Sequence, residues 1–390
     1  MRFHIADEKD ILDGSLTDVY FKRTKDILKA KNLDKYVVTE IKAKSLPKGY
    51  EWAILAGIEE CAQLLKEVDV KVEAMAEGTM FKPWQPVMNI EGMYSKFGVY
   101  ETSILGFLCQ ASGIATKAAR CKRIAGDRII LSFGARRMHP ILAPMIERNA
   151  FIGGCDGVSA TKAAELIEEK PKGTIPHALI LLYGDTIEAT KAFDDVIDKN
   201  VMRVALIDTF LDEKFEAIRV AEAMGDKLFG MRLDTPSTRR GDFKGLLEET
   251  RWELDMRGYN NIKLLVSGGI DEDSIRELKE VADGFGVGTS ISNAPVIDFA
   301  LDIVEIEGRP FAKRGVSSGA KNVFKCKSCY KDVILPKKEN KGETKRKCDC
   351  GGEMENLLFT LTESKKIVRE LPPQQEIRRY VLNQLSRVEL

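Results

Sequence analysis

The stretch Ile129-Ile-Leu-Ser-Phe-Gly-Ala-Arg-Arg137 sets the pattern for the middle of the chain: a short β-prone apolar run that stops at a glycine and then turns charged. The pattern recurs in Phe151-Ile-Gly-Gly154, the segment entering Gly173-Thr-Ile-Pro176, Val204-Ala-Leu-Ile207, Leu228-Phe-Gly-Met231, Lys263-Leu-Leu-Val266 and Gly284-Phe-Gly-Val287. Helical segments separate these runs. Strand and helix alternating over short connections predict parallel βαβ units, and seven such runs favour an α/β barrel closed on itself over an open sheet. In a barrel of this kind the loops that follow the strands converge on one mouth.

The residues placed at that mouth are not ordinary loop filler. Arg136 and Arg137 follow the first run, Asp156 the second, His177 the third, and Asp208-Thr209 the fourth. Arg232 and Asp234 end the fifth, Ser267-Gly268-Gly269 the sixth, and Gly288-Thr289-Ser290 the seventh. The two glycine turns can present successive backbone N–H groups to an anion, because glycine permits close approach and positive φ. Asp156, Asp208 and Asp234 suit either a divalent cation or the hydroxyls of a sugar. The arginines supply planar bidentate donors for carboxylate or phosphate. Of the three histidines, His4 lies near the terminus and His139 could as well bond a loop as touch a ligand, whereas His177 stands at a strand end, placed to act as base, nucleophile or hydrogen-bond donor.

Toward the N-terminus, the Pro/Gly-punctuated segment from Glu77 to Gly92 predicts short strands, and apolar spacing from Tyr100 to about Ile124 predicts helix interrupted by Gly106 and Ser112-Gly113, which suits two helices with a bend. Toward the C-terminus, Cys326-Lys-Ser-Cys329 and Cys348-Asp-Cys350, with 18 residues between them, have the spacing of a four-thiolate zinc ribbon. A closed four-cysteine site keeps no open position and is structural; an apparent binding energy of about 10–16 kcal/mol would fold so small a module. The remaining cysteines, Cys61, Cys109, Cys121 and Cys155, stand singly and read as reduced, buried thiols.

The 390 residues hold 60 Lys+Arg and 60 Asp+Glu, a formal charge of zero, with 44% hydrophobic residues. Neutrality removes the general attraction that a nucleic-acid or anionic-membrane binder uses, so any anion is bound locally. The start lacks an apolar leader and no run approaches a membrane span, which predicts a soluble, cytoplasmic protein.

Several of these stretches resemble, in order, the motifs of nicotinate phosphoribosyltransferases, type II phosphoribosyltransferases, and most of all the short archaeal-type enzymes with a zinc-binding tail. They are Phe133-Gly-Ala-Arg-Arg137, Gly154-Cys-Asp-Gly-Val-Ser159, Gly173-Thr-Ile-Pro-His177, Leu206-Ile-Asp-Thr209, Arg232-Leu-Asp-Thr-Pro236, Val266-Ser-Gly-Gly269 and Phe285-Gly-Val-Gly-Thr-Ser290. Thr17-Asp-Val-Tyr20 and Glu77-Gly-Thr79 resemble the N-terminal motifs. The resemblance implies an N-terminal α/β domain (1–115), an irregular parallel α/β barrel (116–300), and a C-terminal region (301–390) with a small zinc-ribbon-like module at about 322–358. It also implies a dimer with a shared active site, and hexamers built from such dimers.

The implied reaction joins nicotinate to phosphoribosyl pyrophosphate, giving nicotinate mononucleotide and pyrophosphate in NAD salvage, often coupled to ATP through a phosphohistidine. Residue by residue, Phe133 and the Tyr20 of a second copy would sandwich the pyridine, with Asp156 beside it. Arg136 and Arg232 would handle anionic groups. Asp208 and Asp234 would hold ribose hydroxyls or Mg²⁺. Ser267, Gly268, Gly269, Gly288, Thr289 and Ser290 would take the 5′-phosphate, and His177 matches the phosphorylated position. Ala135-Arg-Arg-Met138 departs from the Thr-Arg-Arg-Arg of many bacterial relatives, which leaves the part of Arg137 open.

Two other readings fit less of the sequence. A quinolinate phosphoribosyltransferase must grip two carboxylates and needs more cations around the ring than these motifs supply. A zinc-ribbon module that recruits nucleic acid or protein would use the Lys-rich segment Pro336–Lys347, but net neutrality and the residues of the mouth argue against it.

Overall fold

The computed structural model describes residues 3–340 and 345–388. The chain divides into two compact units: Met1–Thr116 with Pro295–Val381, and Lys117–Ala294 with Leu382–Leu390. Of the Lys-rich segment Pro336–Lys347, residues 341–344 lie outside the described residues.

The first unit is built on an antiparallel seven-stranded sheet, in the order Arg309–Pro310, Phe299–Ile306, Tyr36–Ala43, Met88–Met93, Lys71–Ala74, Phe359–Glu363, Lys366–Ile367. Strand alternation drives its burial: Val72 and Ala74 face the core while Lys71 and Glu73 are only half-buried. Ile41, Val72, Met88 and Ile90 pack with Ile58 and Leu65 of the helix Ile58–Leu65 and with Ile104 and Leu108 of the helix Glu101–Ala125. Because Phe299–Ile306 and Phe359–Glu363 are strands of this sheet, residues 295–381 fold with the N-terminal residues rather than as a separate region. The cysteine segment forms its own four-stranded antiparallel sheet, Asp332–Pro336, Lys321–Cys326, Glu353–Asn356, Lys345–Lys347.

Glu101–Ala125 is a single helix of 25 residues, not two with a bend. Gly113 serves a different purpose: a Cβ there would stand 2.4 Å from the Pro295 carbonyl oxygen, so glycine lets that backbone lie against the helix.

The second unit contains the parallel sheet, a curled half-barrel of six strands in the order Gly157–Val158, Ile129–Ser132, Gly284–Val287, Lys263–Val266, Gly230–Leu233, Val204–Leu206. The irregular parallel α/β architecture is as expected, but the sheet is a half-barrel of six strands and not a barrel closed on itself, and two of the seven runs behave differently. Phe151–Gly154 is not a strand: its apolar residues are the buried side of the helix Ala143–Ile152, and the strand follows at Gly157–Val158. Gly173–Pro176 is not a strand either. Pro171 and Pro176 have no N–H to give a ladder. The segment instead crosses between the two edge strands, with the Lys172 N–H on the Val158 carbonyl at 2.7 Å and Ile175 packed against Leu206. Ladder hydrogen bonds therefore do not close the barrel.

Candidate active site

Six parallel strands deliver their C-terminal ends to one side of the sheet, and a cavity of about 340 Å³ opens there. Phe133 forms its aromatic wall. Its N–H bonds the Val287 carbonyl at 2.9 Å, and its ring lies where a Cβ on Gly286 would stand, 2.4 Å from Cδ2. The glycine thus makes room for the ring. The guanidinium carbon of Arg232 is 5.9 Å from the ring centroid.

Arg232 leaves its strand half-buried. Nη1 donates to Ser267 Oγ at 3.3 Å and approaches Asp234 Oδ2 at 4.0 Å, Nη2 donates to the Ile175 carbonyl at 3.3 Å, and Nε is buried without a hydrogen-bond partner. Burial pushes its pKa down, and Asp234 and Asp208 oppose that. Ser267 Oγ in turn donates to Asp234 Oδ1 at 2.7 Å.

His177 begins the helix His177–Tyr183. Its Nδ1 is 3.0 Å from Thr209 Oγ1, and its Nε2 faces Asp208 Oδ2 at 3.8 Å and Asp234 Oδ2 at 3.7 Å. The Asp208 side chain is 3% exposed and its Oδ1 has no hydrogen-bond partner. Desolvation raises its pKa, with His177 working against the shift. An imidazole flanked by two carboxylates can carry a positive charge or a transferred group, and the carboxylates retain lone pairs for hydroxyls or a cation.

The turn after Val266 places Gly268 and Gly269 at φ +83° and +73°. Gly288 precedes the short helix Thr289–Ser292 at the end of a neighbouring strand. Arg136, exposed at the rim, lines the cavity; Arg137 is also exposed but does not line it.

The structure does not bring every expected residue into the cavity: Asp208, Thr209, the Ser267–Gly269 turn and Gly288–Ser290 lie outside its lining, Asp208 and Thr209 meeting His177 and Ser267 meeting Arg232 and Asp234. Asp156 comes before its strand rather than after it, because the strand begins at Gly157. Its Oδ2 accepts from Lys122 Nζ and from the Ile130 N–H, both at 2.9 Å, and it does not line the cavity; the role beside the ring is corrected to a structural one. His139 Nδ1 accepts from the Ile141 N–H at 3.3 Å and caps a short turn, a loop role. Tyr20, on the helix Val19–Ala30 of the first unit, is 56% exposed.

Other residues carry the site without having been singled out from sequence. Ser159, Ala160 and Thr174 line the cavity. Buried Glu147 holds the first two, accepting from Ser159 Oγ at 2.8 Å and from the Ala160 N–H at 2.7 Å. Arg240 binds the back of the Ser267-Gly268 turn. Ser159 and Thr174 belong to the motifs Gly154–Ser159 and Gly173–His177; Glu147 and Arg240 stand outside every motif, on connections whose contacts only the fold creates.

Apart from this cavity, the four ribbon cysteines gather in the first unit. The sulfurs of Cys326, Cys329, Cys348 and Cys350 lie within 4.8 Å of one another, with Cys326–Cys350 and Cys329–Cys348 at 3.6 Å. A tetrahedral ion with bonds of about 2.3 Å to sulfur sets sulfurs about 3.8 Å apart, so the cluster fits a metal such as zinc. Among the described residues, no helix is long and apolar enough to cross a membrane.

Family models described as the N-terminal and C-terminal domains of quinolinate phosphoribosyl transferase match residues 18–112 and 114–302. Nicotinate phosphoribosyltransferase of Bacillus subtilis is 34% identical over 243 residues, 60% of this chain and 49% of the relative, so the match spans about half the length of that enzyme. Nicotinate phosphoribosyltransferase pncB1 of Mycobacterium tuberculosis is 27% identical over 339 residues, covering 77% of this chain and 74% of the relative. Among solved structures, human nicotinic acid phosphoribosyltransferase shares the fold, with a TM-score of 0.74 at 18% identity over 96% of this chain and 94% of that one. The nicotinate-nucleotide pyrophosphorylase of Pyrococcus furiosus superposes with a TM-score of 0.97 at 52% identity, covering 100% of both chains. With a relative matched end to end at that identity and both family domains met in order, the chain belongs to the phosphoribosyltransferase family that holds the quinolinate and nicotinate enzymes.

Proposed function

We propose that this chain is a nicotinate phosphoribosyltransferase of NAD salvage, making nicotinate mononucleotide and pyrophosphate from nicotinate and phosphoribosyl pyrophosphate. The observation that carries the reading is one cavity lined by Phe133, Arg136, Arg232, His177 and Asp234. In the reaction the pyridine nitrogen's lone pair forms the bond to the anomeric carbon as the C–O bond to pyrophosphate breaks, and the leaving group takes that electron pair. No proton need move. The chain's work is to hold the ring against Phe133, to orient the ribose through Asp208 and Asp234, and to neutralise charge through Arg232 as oxocarbenium character develops. Mg²⁺ would accompany phosphoribosyl pyrophosphate at the two carboxylates. Tyr20 of a second copy would cover the other face of the ring, in a dimer or an assembly of dimers working in the cytoplasm. Zinc in the cysteine cluster would fold the ribbon and take no part in chemistry.

ATP coupling places the γ-phosphoryl group on the His177 imidazole with release of ADP. His177→Ala abolishes acid-labile phosphate incorporation from labelled ATP while leaving ATP-independent turnover measurable; normal incorporation would remove His177 from this role.

Quinolinate is the second reading, because the family models carry that name. Arg136 and Arg232 are the arginines lining the cavity, and Arg232 is already held by Ser267, Ile175 and Asp234. One rim arginine matches one carboxylate better than two. The test follows mononucleotide formation from phosphoribosyl pyrophosphate and Mg²⁺ with nicotinate, quinolinate or nicotinamide, each with and without ATP. Product from nicotinate is expected; product from quinolinate alone would move the substrate and keep the site.

A further inference from the structure

Arg240 lies on the loop between the strand Gly230–Leu233 and the helix Phe243–Met256, outside the motifs that suggest the activity. We propose that Arg240 is the positioning residue of the phosphate turn, fixing the peptides on both sides of Gly268 so that two successive N–H groups stay available to the 5′-phosphate. The proposal rests on the assignment of that phosphate to the Ser267-Gly268-Gly269 turn.

Arg240 Nη2 donates to the Ser267 carbonyl at 2.9 Å and also to the Gly268 carbonyl. In a trans peptide the C=O and the following N–H point in opposite directions. Both carbonyls face Arg240, so the N–H groups of Gly268 and Gly269 are directed away from it. Among the described residues, neither N–H donates to a protein acceptor. Two adjacent free N–H groups at positive φ make an anion-binding nest.

Glycine allows this geometry but does not enforce it. With no Cβ, Gly268 and Gly269 reach either sign of φ at small cost, and rotation of one peptide plane would bring a carbonyl oxygen where a phosphate oxygen should sit. Two features oppose that rotation. On one side Ser267 Oγ is tied to Asp234 Oδ1 at 2.7 Å. On the other, the guanidinium holds both carbonyls and is itself fixed by Nε on the Thr235 carbonyl at 2.7 Å and by the Phe243 ring, whose centroid is 4.7 Å from Cζ. A guanidinium can serve three carbonyls in one plane; an ammonium cannot reproduce that fork.

The test uses the full-length protein and calorimetric titration with phosphoribosyl pyrophosphate and, separately, ribose 5-phosphate, so that it does not depend on turnover. Arg240→Ala should weaken both ligands about tenfold or more, and Arg240→Lys should fall between it and the unchanged protein. The melting temperature and the KM for nicotinate should stay close to those of the unchanged protein in the Lys variant, which a merely folding role would not predict. Gly268→Ala is the control for the turn itself: a Cβ there would stand 3.0 Å from both the carbonyl oxygen and Oδ1 of Asp234. If Gly268→Ala weakens ribose 5-phosphate and neither Arg240 variant does, the turn binds phosphate without Arg240 and the proposal fails. If Gly268→Ala also leaves binding unchanged, the phosphate assignment of the turn falls, and the role of Arg240 with it.

Discussion

Asp208 shows at the scale of one residue how a site is kept at the expense of stability. Its carboxyl is buried, Oδ1 lacks a partner, and desolvation holds its pKa above the ordinary value. A raised folded-state pKa means that the native state keeps a proton which the unfolded state releases. Stability is therefore unaffected below the unfolded value of about 3.9 and falls as pH rises from there to the folded pKa. Asp208→Asn removes this cost. Thermal melts should show the variant above the wild type at pH 7 and level with it near pH 3, while turnover drops by about a hundredfold or more. A variant that melts lower at pH 7 would mean that the ionised carboxylate is well paired. Beside it, Thr209 meets one ring nitrogen of His177, and the two aspartates face the other.

At the scale of elements, the helix Glu101–Ala125 contains two glycines with opposite reasons for being there. Nothing stands within 4 Å of a Cβ at Gly106, whereas a Cβ at Gly113 would meet the Pro295 carbonyl at 2.4 Å. Gly106→Ala should stabilise the protein by about 0.5–1 kcal/mol through the lower backbone entropy of the unfolded chain. Gly113→Ala should cost about 1–3 kcal/mol by overpacking, despite the same gain in propensity. Chemical denaturation of the two variants, with opposite shifts in midpoint, checks both. The sequence shows two glycines in a helical pattern and predicts a bend; which one is a contact depends on a loop some 180 residues away, invisible to any local window.

For the whole molecule, two predictions concern how parts are assembled. Metal analysis of carefully prepared protein should find about one zinc per chain, and Cys329→Ser should lose it and make residues 322–358 sensitive to protease. Metal-free protein that resists protease equally well would refute the ribbon. If Tyr20 serves the site of a second copy, inactive Tyr20→Ala and Asp234→Asn proteins, unfolded together and refolded at equal amounts, should recover about a quarter of wild-type activity, because half of the random dimers hold one intact site of two. No recovery would place Tyr20 in its own chain's site or in none.

The class of fold, the cysteine cluster and most of the candidate chemistry are legible in the chain's own residue order. These are local signals: alternation and apolar runs fix strands, paired cysteines fix knuckles, and glycine and charge at a run's end survive small errors in its boundaries. Asp156 was misread because such an error matters when a residue lies at the edge of an element. Moving the strand start from Phe151 to Gly157 puts Asp156 at its other end. It takes the folded chain to show that the parallel sheet stays open where Pro171 and Pro176 deny it hydrogen bonds, and that residues 295–381 complete the N-terminal sheet. The same holds for Glu147, which ties Ser159 and Ala160 in the cavity wall, and for Arg240, which ties the Ser267-Gly268 turn. Those outcomes depend on which distant backbone groups meet, and a hydrogen bond between residues far apart in the chain leaves no periodicity in either partner's neighbourhood.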